Sequence, residues 1–262
     1  MDILSAILLG LIQGLTEFLP VSSSGHLVLS QHLLGFHGPN LAFDVLVHLA
    51  TLFAVVLYFR KDILSIFSSA LARSDDNIDG RRWLLMIAIG TVPTAIIGFT
   101  FREQFEAIFA TPKLTAVMLW VTAIILIASD RVRVKVNSSR SRLTVPRAIM
   151  VGIVQGLAII PGISRSGSTI SMGLFSGLNP QIAARFSFLL SVPAIMGATI
   201  LEFGEIVNIG AQDYLPYSLA ALTAFYSGYL AIDILMKMVI KRKLWKFSIY
   251  LFVVGLLGLL LT

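Results

Sequence analysis

Gly10-Leu11-Ile12-Gln13-Gly14-Leu15 returns later in the chain as Gly152-Ile153-Val154-Gln155-Gly156-Leu157. The match continues beyond the glycines. Pro20 and Ser23 correspond to Pro161 and Ser164, Gly25 to Gly167, and Phe43 and Leu46 to Phe186 and Leu189, at an offset that drifts only from 141 to 143 residues. This is one repeat with small gaps. Each copy opens with a short apolar helix, breaks at Pro-x-x-Ser, resumes briefly, and then makes three long apolar runs. An odd number of crossings per copy forces the copies into opposite orientations, an inverted-topology repeat.

Composition places that repeat in a bilayer. Of the 262 residues, 56% are apolar before the 20 glycines are counted, and 13% are charged. Soluble domains hold about 45–50% apolar residues with glycine included, and about 25% charged. A soluble α/β enzyme would strand this apolar surface in water and is excluded. The long runs are 43–59, 83–101, 114–129, 186–203, 217–236 and 247–261, each near the ~20 residues that a ~30 Å hydrocarbon core requires. Lipid offers no partner to an open backbone, so all six are read as transmembrane helices of an all-α protein. Without cysteine there is no disulfide and no thiolate-bound metal. Met1-Asp2 lacks a basic n-region, so no cleavable signal peptide is expected.

The basic residues sort by loop. Residues 60–82 carry Arg60, Lys61, Arg73, Arg81 and Arg82, and residues 130–147 carry Arg131, Arg133, Lys135, Arg140, Arg142 and Arg147. With Lys237, Lys241, Arg242, Lys243 and Lys246 in 237–246, these loops hold 16 of the 20 Lys and Arg. The alternate loops hold Arg102 and Lys113 in one and none in 204–216. The positive-inside rule puts the three basic loops in the cytoplasm and both termini outside. The net charge of +6 is thus a topology signal, and nucleic-acid binding falls away. The expected organisation is a single membrane domain, with repeat 1 over about 1–130 and inverted repeat 2 over about 147–262. Asp44, Arg185 and Glu202 lie near run ends and are expected to snorkel. Asp233 is expected to pair with Lys237, one turn on. Glu17 and Arg165 lie within apolar sequence, where an ionisable group faces a polar cavity or a partner.

The opening segments, 3–19 and 25–34, cannot each span comfortably. They read as a re-entrant hairpin with Pro20-Val21-Ser22-Ser23-Ser24-Gly25 at its tip. The second copy gives 148–160, a tip at Pro161-Gly162-Ile163-Ser164-Arg165-Ser166-Gly167, and 168–176. Non-helical backbone at that depth survives only where it lines a polar cavity. The two hairpins enter from opposite sides, so their tips are expected to meet near the midplane. Gly10/Gly14 and Gly152/Gly156 have the small-xxx-small spacing of closely packed helices.

The second tip places Ser164, Ser166, Ser168 and Thr169 around Arg165 at the opening of a helix. Free N–H groups and a positive dipole end make that an anion site in kind, and Arg165 adds a planar fork suited to phosphate. The plainer reading is a Ser/Gly helix break with Arg165 paired to Glu17. The pattern is neither a nucleophile elbow nor a Walker loop. The first tip offers Gln13 and Glu17 on one helical face, then Ser22, Ser23, Ser24 and His26. His32, His37 and His48 are scattered and read as interfacial or structural. A hard cation such as Mg²⁺ or Ca²⁺ can bind Glu17 plus phosphate oxygens. Only the first copy has the carboxylate and imidazole, against Ile159 and Ser168 in the second, and only the second has the arginine. One composite site accounts for this divergence. Hydrolysis of a lipid phosphate and transport or flipping of one both fit such anatomy. For the hydrolase, Ser23 is the expected nucleophile with His26 as general base; attack by His26 itself or by a metal-activated water are the rivals.

Gln13-Gly14-Leu15-Thr16-Glu17-Phe18-Leu19-Pro20-Val21-Ser22-Ser23-Ser24-Gly25-His26 and Pro161-Gly162-Ile163-Ser164-Arg165-Ser166-Gly167-Ser168-Thr169 closely resemble the two signature motifs of the undecaprenyl-diphosphate phosphatase family, the bacitracin-resistance type. The resemblance extends over 186–198 and 223–232 and effectively along the whole chain. It implies a bacterial inner-membrane enzyme that hydrolyses the C55 lipid diphosphate to the monophosphate carrier of cell-wall synthesis, with a divalent cation. By motif matching, Glu17, Ser23, His26 and Arg165 take the family's catalytic positions, and Ser164, Ser166 and Thr169 its phosphate-contacting positions. Many members carry glutamate where this chain has Gln13, so a clamp of two carboxylates on the metal is not available here.

Overall fold

The computed structural model describes residues 1–36, 40–72, 79–109, 111–132, 142–207 and 209–262. His37, Arg73, Arg133, Lys135 and Arg140 lie outside the described residues. In chain order the helices are α1 (Ile3–Phe18), α2 (Ser23–Leu33), α3 (Leu41–Tyr58), α4 (Arg60–Ala72), α5 (Gly80–Thr100), α6 (Arg102–Phe109), α7 (Pro112–Arg131), α8 (Val145–Leu157), α9 (Arg165–Phe175), α10 (Pro180–Leu201), α11 (Phe203–Val207), α12 (Tyr214–Ile240) and α13 (Trp245–Leu261). No strand occurs among the described residues. Five helices, α3, α5, α7, α10 and α12, are long and apolar enough to cross a membrane, and the chain is a multi-pass membrane protein. The sixth expected span corresponds to α13, which is apolar and has 17 residues.

Local chemistry sets the boundaries. Asp2 caps α1 by accepting from Ser5 N at 2.9 Å. Leu19 precedes Pro20 and is pushed out of the helical region, to φ −62° and ψ 147°, which ends α1. Asn179 caps α10 with Pro180 at its first position. Residues 60–72, expected as loop, form α4, which turns Leu64, Phe67 and Leu71 outward at helical spacing.

Contacts along the helices fix their directions. The Met1 ammonium meets Asp213 at 2.9 Å, Asn40 donates to the Tyr217 hydroxyl at 2.6 Å, and the Tyr58 hydroxyl lies 3.4 Å from Asp233. Helices α1, α3 and α12 therefore run side by side in one direction. Arg82 donates to the Leu143 carbonyl at 2.6 Å, and the Trp83 ring lies 6.3 Å from Phe186, so α5, α8 and α10 begin together. Arg185 near the start of α10 pairs with Asp62 just past the end of α3, and Phe188 packs on Phe59 at 5.4 Å. The second set thus runs opposite to the first.

The halves are interleaved. Helix α1 lies on α12, and a Cβ at Gly10 would stand 2.3 Å from the Ala220 carbonyl oxygen. Helix α8 lies on α5, and a Cβ at Gly152 would stand 2.1 Å from the Gly90 carbonyl oxygen. Helix α7 packs on α13, where Trp120 donates through Nε1 to the Phe252 carbonyl at 3.1 Å. Lipid is as apolar as a leucine side chain, so close backbone approach and dispersion, rather than escape from water, hold these pairs together.

Candidate active site

The two helix breaks meet. The first, 19–22, joins α1 to α2, and the second, 158–164, joins α8 to α9. Ser22 is their tie: its Oγ accepts from Gly25 N at 3.2 Å within its own tip and from Gly162 N at 3.1 Å across the junction. Ser166 Oγ donates to the Leu19 carbonyl at 3.2 Å, a second crossing bond. Gly162 has φ +93°, and a Cβ there would stand 2.3 Å from the Thr115 carbonyl oxygen, so only glycine fits. Ser22 is also left-handed, at φ 69°, a conformation that costs a non-glycine residue about 1–3 kcal/mol.

Glu17 lies at the centre. It is 7% exposed, and both carboxylate oxygens are occupied. Arg165, the first residue of α9, donates through Nη2 to Oε1 at 2.5 Å. Ser23, the first residue of α2, donates through Oγ to Oε2 at 2.5 Å. Gln13, one turn back on α1, donates through Nε2 to Oε2 at 3.1 Å, and His48 Nε2 lies 3.6 Å from the same oxygen. The Arg165–Glu17 pairing foreseen as the plainer alternative is therefore present, and it sits beside a hydroxyl. Two polar atoms on residues of this cluster lack partners: Arg165 Nη1 and Gln13 Oε1 are buried and make no hydrogen bond. A buried group left so costs about 1–3 kcal/mol or more if charged. A ligand with acceptor oxygens satisfies the guanidinium nitrogen, and a cation or a donor satisfies the amide oxygen.

The expected Ser23–His26 couple is not formed. His26 donates through Nδ1 to the Ser22 carbonyl at 2.8 Å, and its Nε2 is 2.8 Å from the Tyr250 hydroxyl. Helix α2 begins at Ser23, so that side chain hangs off the first turn toward Glu17, while His26 folds back over the helix start. The expected phosphate-contacting hydroxyls make hydrogen bonds within the protein. Ser164 caps α9 by accepting from Gly167 N at 3.1 Å, and Thr169 donates to the Arg165 carbonyl at 2.7 Å beside Ser187 Oγ at 2.5 Å. Ser24 lies 3.4 Å from Ser22 Oγ and is half-buried.

His48, expected to be interfacial or structural, lies beside Glu17, and two residues that sequence reasoning did not single out join the tips: Tyr250 at His26 and Thr122 at Gly162 and Ser164. One signal was present for His48. The offset of 143 that aligns Phe43 with Phe186 sets it against Ser191, a divergence of the same kind as Glu17 against Ile159. The other charged residues are used elsewhere. Asp44 accepts from Gln31 at 2.8 Å, Asp233 pairs with Lys237 at 2.5 Å as expected, and Arg102 pairs with Glu202 at 2.8 Å. Arg185 does not simply snorkel, since it pairs with Asp62 and lies 5.3 Å from the centre of the Trp83 ring.

Residues 6–257 match the family model described as Bacitracin resistance protein BacA. The chain belongs to this family. Relatives named undecaprenyl-diphosphatase match it nearly end to end. That of Desulfosudis oleivorans is 43% identical over 266 residues, covering 97% of each chain. That of Syntrophotalea carbinolica is 46% identical over 257 residues, again 97% of each. That of Carboxydothermus hydrogenoformans is 43% identical over 265 residues, all of this chain and 98% of the relative. The BacA family assignment spans both tips, so Glu17, Ser23 and Arg165 fall inside the matched region.

Proposed function

We propose that this chain is an undecaprenyl-diphosphatase, hydrolysing the lipid diphosphate to undecaprenyl phosphate and inorganic phosphate, which recycles the carrier of peptidoglycan synthesis and confers bacitracin resistance. One observation carries the mechanism: the Ser23 hydroxyl is held 2.5 Å from the Glu17 carboxylate, with the Arg165 guanidinium on the other carboxylate oxygen. Serine is a weak nucleophile without a neighbouring base. Glu17 fills that role in place of His26, whose ring nitrogens are both engaged. Ser23 Oγ attacks the terminal phosphorus as its proton passes to Glu17. The bond from that phosphorus to the bridging oxygen breaks, and the lipid monophosphate leaves with the proton. Glu17 then takes a proton from water attacking the phosphoserine and hands it to the departing Ser23 oxygen. Arg165 keeps one nitrogen on Glu17 and offers Nη1 to a phosphate oxygen, where positioning and electrostatics supply most of phosphoryl-transfer catalysis.

The residues present fit a divalent cation that arrives with its substrate. Gln13 Oε1 is a buried oxygen without a partner one turn from the Glu17 carboxylate, and Mg²⁺ is typically held by one or two carboxylates plus substrate phosphates. Among the described residues no group of three His, Asp or Glu could hold a metal alone. When bound, Mg²⁺ or Ca²⁺ would neutralise diphosphate charge.

The same reading includes an inverted-topology repeat in one membrane domain, with repeat 1 over about 1–130, repeat 2 over about 147–262, six crossings and two re-entrant hairpins. Helices α1 and α8 run in opposite directions, and each packs on a long helix of the other half, which supports it. The loop charges support an inner-membrane location with both termini and the site opening on the periplasmic side. The polyprenyl tail would lie among the spans in lipid.

Phosphate release from undecaprenyl diphosphate in detergent micelles tests the activity, since transport has no meaning without a compartment. Rapid acid quench of labelled substrate should trap phosphoserine, and Ser23→Ala should abolish both adduct and turnover. No release by the wild type would overturn the hydrolase reading; substantial turnover by Ser23→Ala would overturn the nucleophile.

A further inference from the structure

Each tip is met by a side chain from a helix late in the opposite half, α7 or α13. Thr122 of α7 donates to the Gly162 carbonyl at 2.9 Å and accepts from Ser164 N at 3.0 Å, holding the second tip. Tyr250 of α13 reaches the first tip through the His26 side chain. Its hydroxyl is 2.8 Å from His26 Nε2, and its ring lies nearly parallel to the imidazole, 5° apart in plane with centres 5.6 Å apart.

The hydrogen bonds determine the tautomer. The Ser22 carbonyl, 2.8 Å from His26 Nδ1, can only accept, so Nδ1 carries the proton. In the neutral ring Nε2 then presents a lone pair, and the Tyr250 O–H is the donor that meets it. The other tautomer would turn a lone pair toward the Ser22 carbonyl. That carbonyl belongs to the left-handed residue that ties the tips together, and it accepts twice from His26, through Nδ1 and through the backbone N at 3.1 Å. Ser23 is the next residue. Its direction toward Glu17 depends on Ser22 keeping φ 69°.

We infer that Tyr250 is a positioning residue. By selecting the Nδ1–H tautomer of His26 it holds Ser22 in its left-handed conformation and so aims the Ser23 hydroxyl at Glu17. The inference rests on the role proposed above for Ser23. It also gives His26 a task that general-base chemistry does not, since Nδ1 holds the Ser22 carbonyl and Nε2 accepts from Tyr250.

Tyr250→Phe removes the hydroxyl and keeps the stacked ring, and at 45% exposure on the outer face the change leaves no interior cavity. The full chain, carrying isotope-labelled histidine in detergent micelles, reports both nitrogens of each ring by long-range proton–nitrogen correlation, with His26→Gln identifying the signals. Wild-type His26 should show the Nδ1–H form, and Tyr250→Phe a mixture or the Nε2–H form. Loss of one neutral hydrogen bond should lower kcat about fivefold to tenfold with KM nearly unchanged. Tyr226→Phe makes the same chemical change on the outer face of α12 and should move neither readout. An unchanged His26 spectrum in Tyr250→Phe, or an unchanged kcat, overturns the inference. A wild type that releases no phosphate, while the tautomer still shifts in Tyr250→Phe, overturns the hydrolase reading and upholds the Tyr250–His26–Ser22 tie.

Discussion

Gly14→Ala puts one carbon where α12 already stands. The added Cβ would lie 2.0 Å from Ser227 Oγ, 2.4 Å from the Ala224 carbonyl oxygen and 2.8 Å from Gly228 N. The serine side chain can turn away, but the two backbone atoms cannot. Restoring ordinary contact, near ~3.5 Å, requires α1 and α12 to part by about 1 Å. Glu17 is on the next turn of α1, held at 2.5 Å by Ser23 on one side and by Arg165 on the other. Neither bond survives such a shift. Overpacking of this kind costs about 1–3 kcal/mol, and a ~1 Å misplacement of a reacting group costs about 100-fold in rate. The unfolding midpoint in micelles, followed by tryptophan fluorescence, should fall, and kcat for phosphate release should drop about 100-fold. Gly197→Ala is the counter-case: nothing lies within 4 Å of its Cβ, inside α10. Trading glycine for alanine there should stabilise by up to about 1 kcal/mol and leave turnover alone. If Gly14→Ala keeps the wild-type midpoint and rate, the α1–α12 approach is not what seats the carboxylate.

Arg165→Lys should lose about 100-fold or more in kcat although it keeps the charge, because one ammonium cannot hold Glu17 and a phosphate oxygen in a fixed plane. Activity within a fewfold of wild type would make Arg165 a structural partner only. EDTA should abolish phosphate release and Mg²⁺ or Ca²⁺ restore it, with Gln13→Ala less damaging than Glu17→Gln; full activity in EDTA with no metal carried through purification would refute the cation. Because the chain has no cysteine, single labels at Ser68 and Gln212 can be read without background. Gln212→Cys should react from outside intact cells and Ser68→Cys should not; the reverse pattern would invert the topology.

Much of this architecture is legible in the sequence because lipid restricts the options. An apolar run of bilayer length has to be a helix, and the long helices follow the runs, α10 beginning six residues before the expected 186 and α12 extending past the expected 217–236 at both ends. The meeting of Glu17 and Arg165 is legible for a related reason: a charge in apolar sequence needs a partner. The direction of Ser23 is not. Its spacing from His26 suits a hydrogen bond between them, but spacing says nothing of which residue opens the helix, and that decides where each side chain points. The hydroxyls of Ser164, Ser166 and Thr169 look like an anion cradle in sequence, but their bonds to nearby backbone, which the fold adds, cannot be read there. Tyr250 leaves no local trace, since its partner is 224 residues away and only the pairing of α7 with α13 brings it near.

The interleaving of the halves sets a timetable for biogenesis. The glycine face of α1 leaves the ribosome well before the surface it fits, at Ala220, Ala224 and Ser227, which is made about 200 residues later. At about 5–20 residues per second, the first hairpin waits on the order of 10–40 s for its seat. For about the first two thirds of that interval Glu17 has no Arg165, and Ser22 has no Gly162 to brace its strained backbone. An N-terminal half released early would therefore carry the Glu17 carboxylate in apolar surroundings without its arginine, the costly condition that the finished chain avoids.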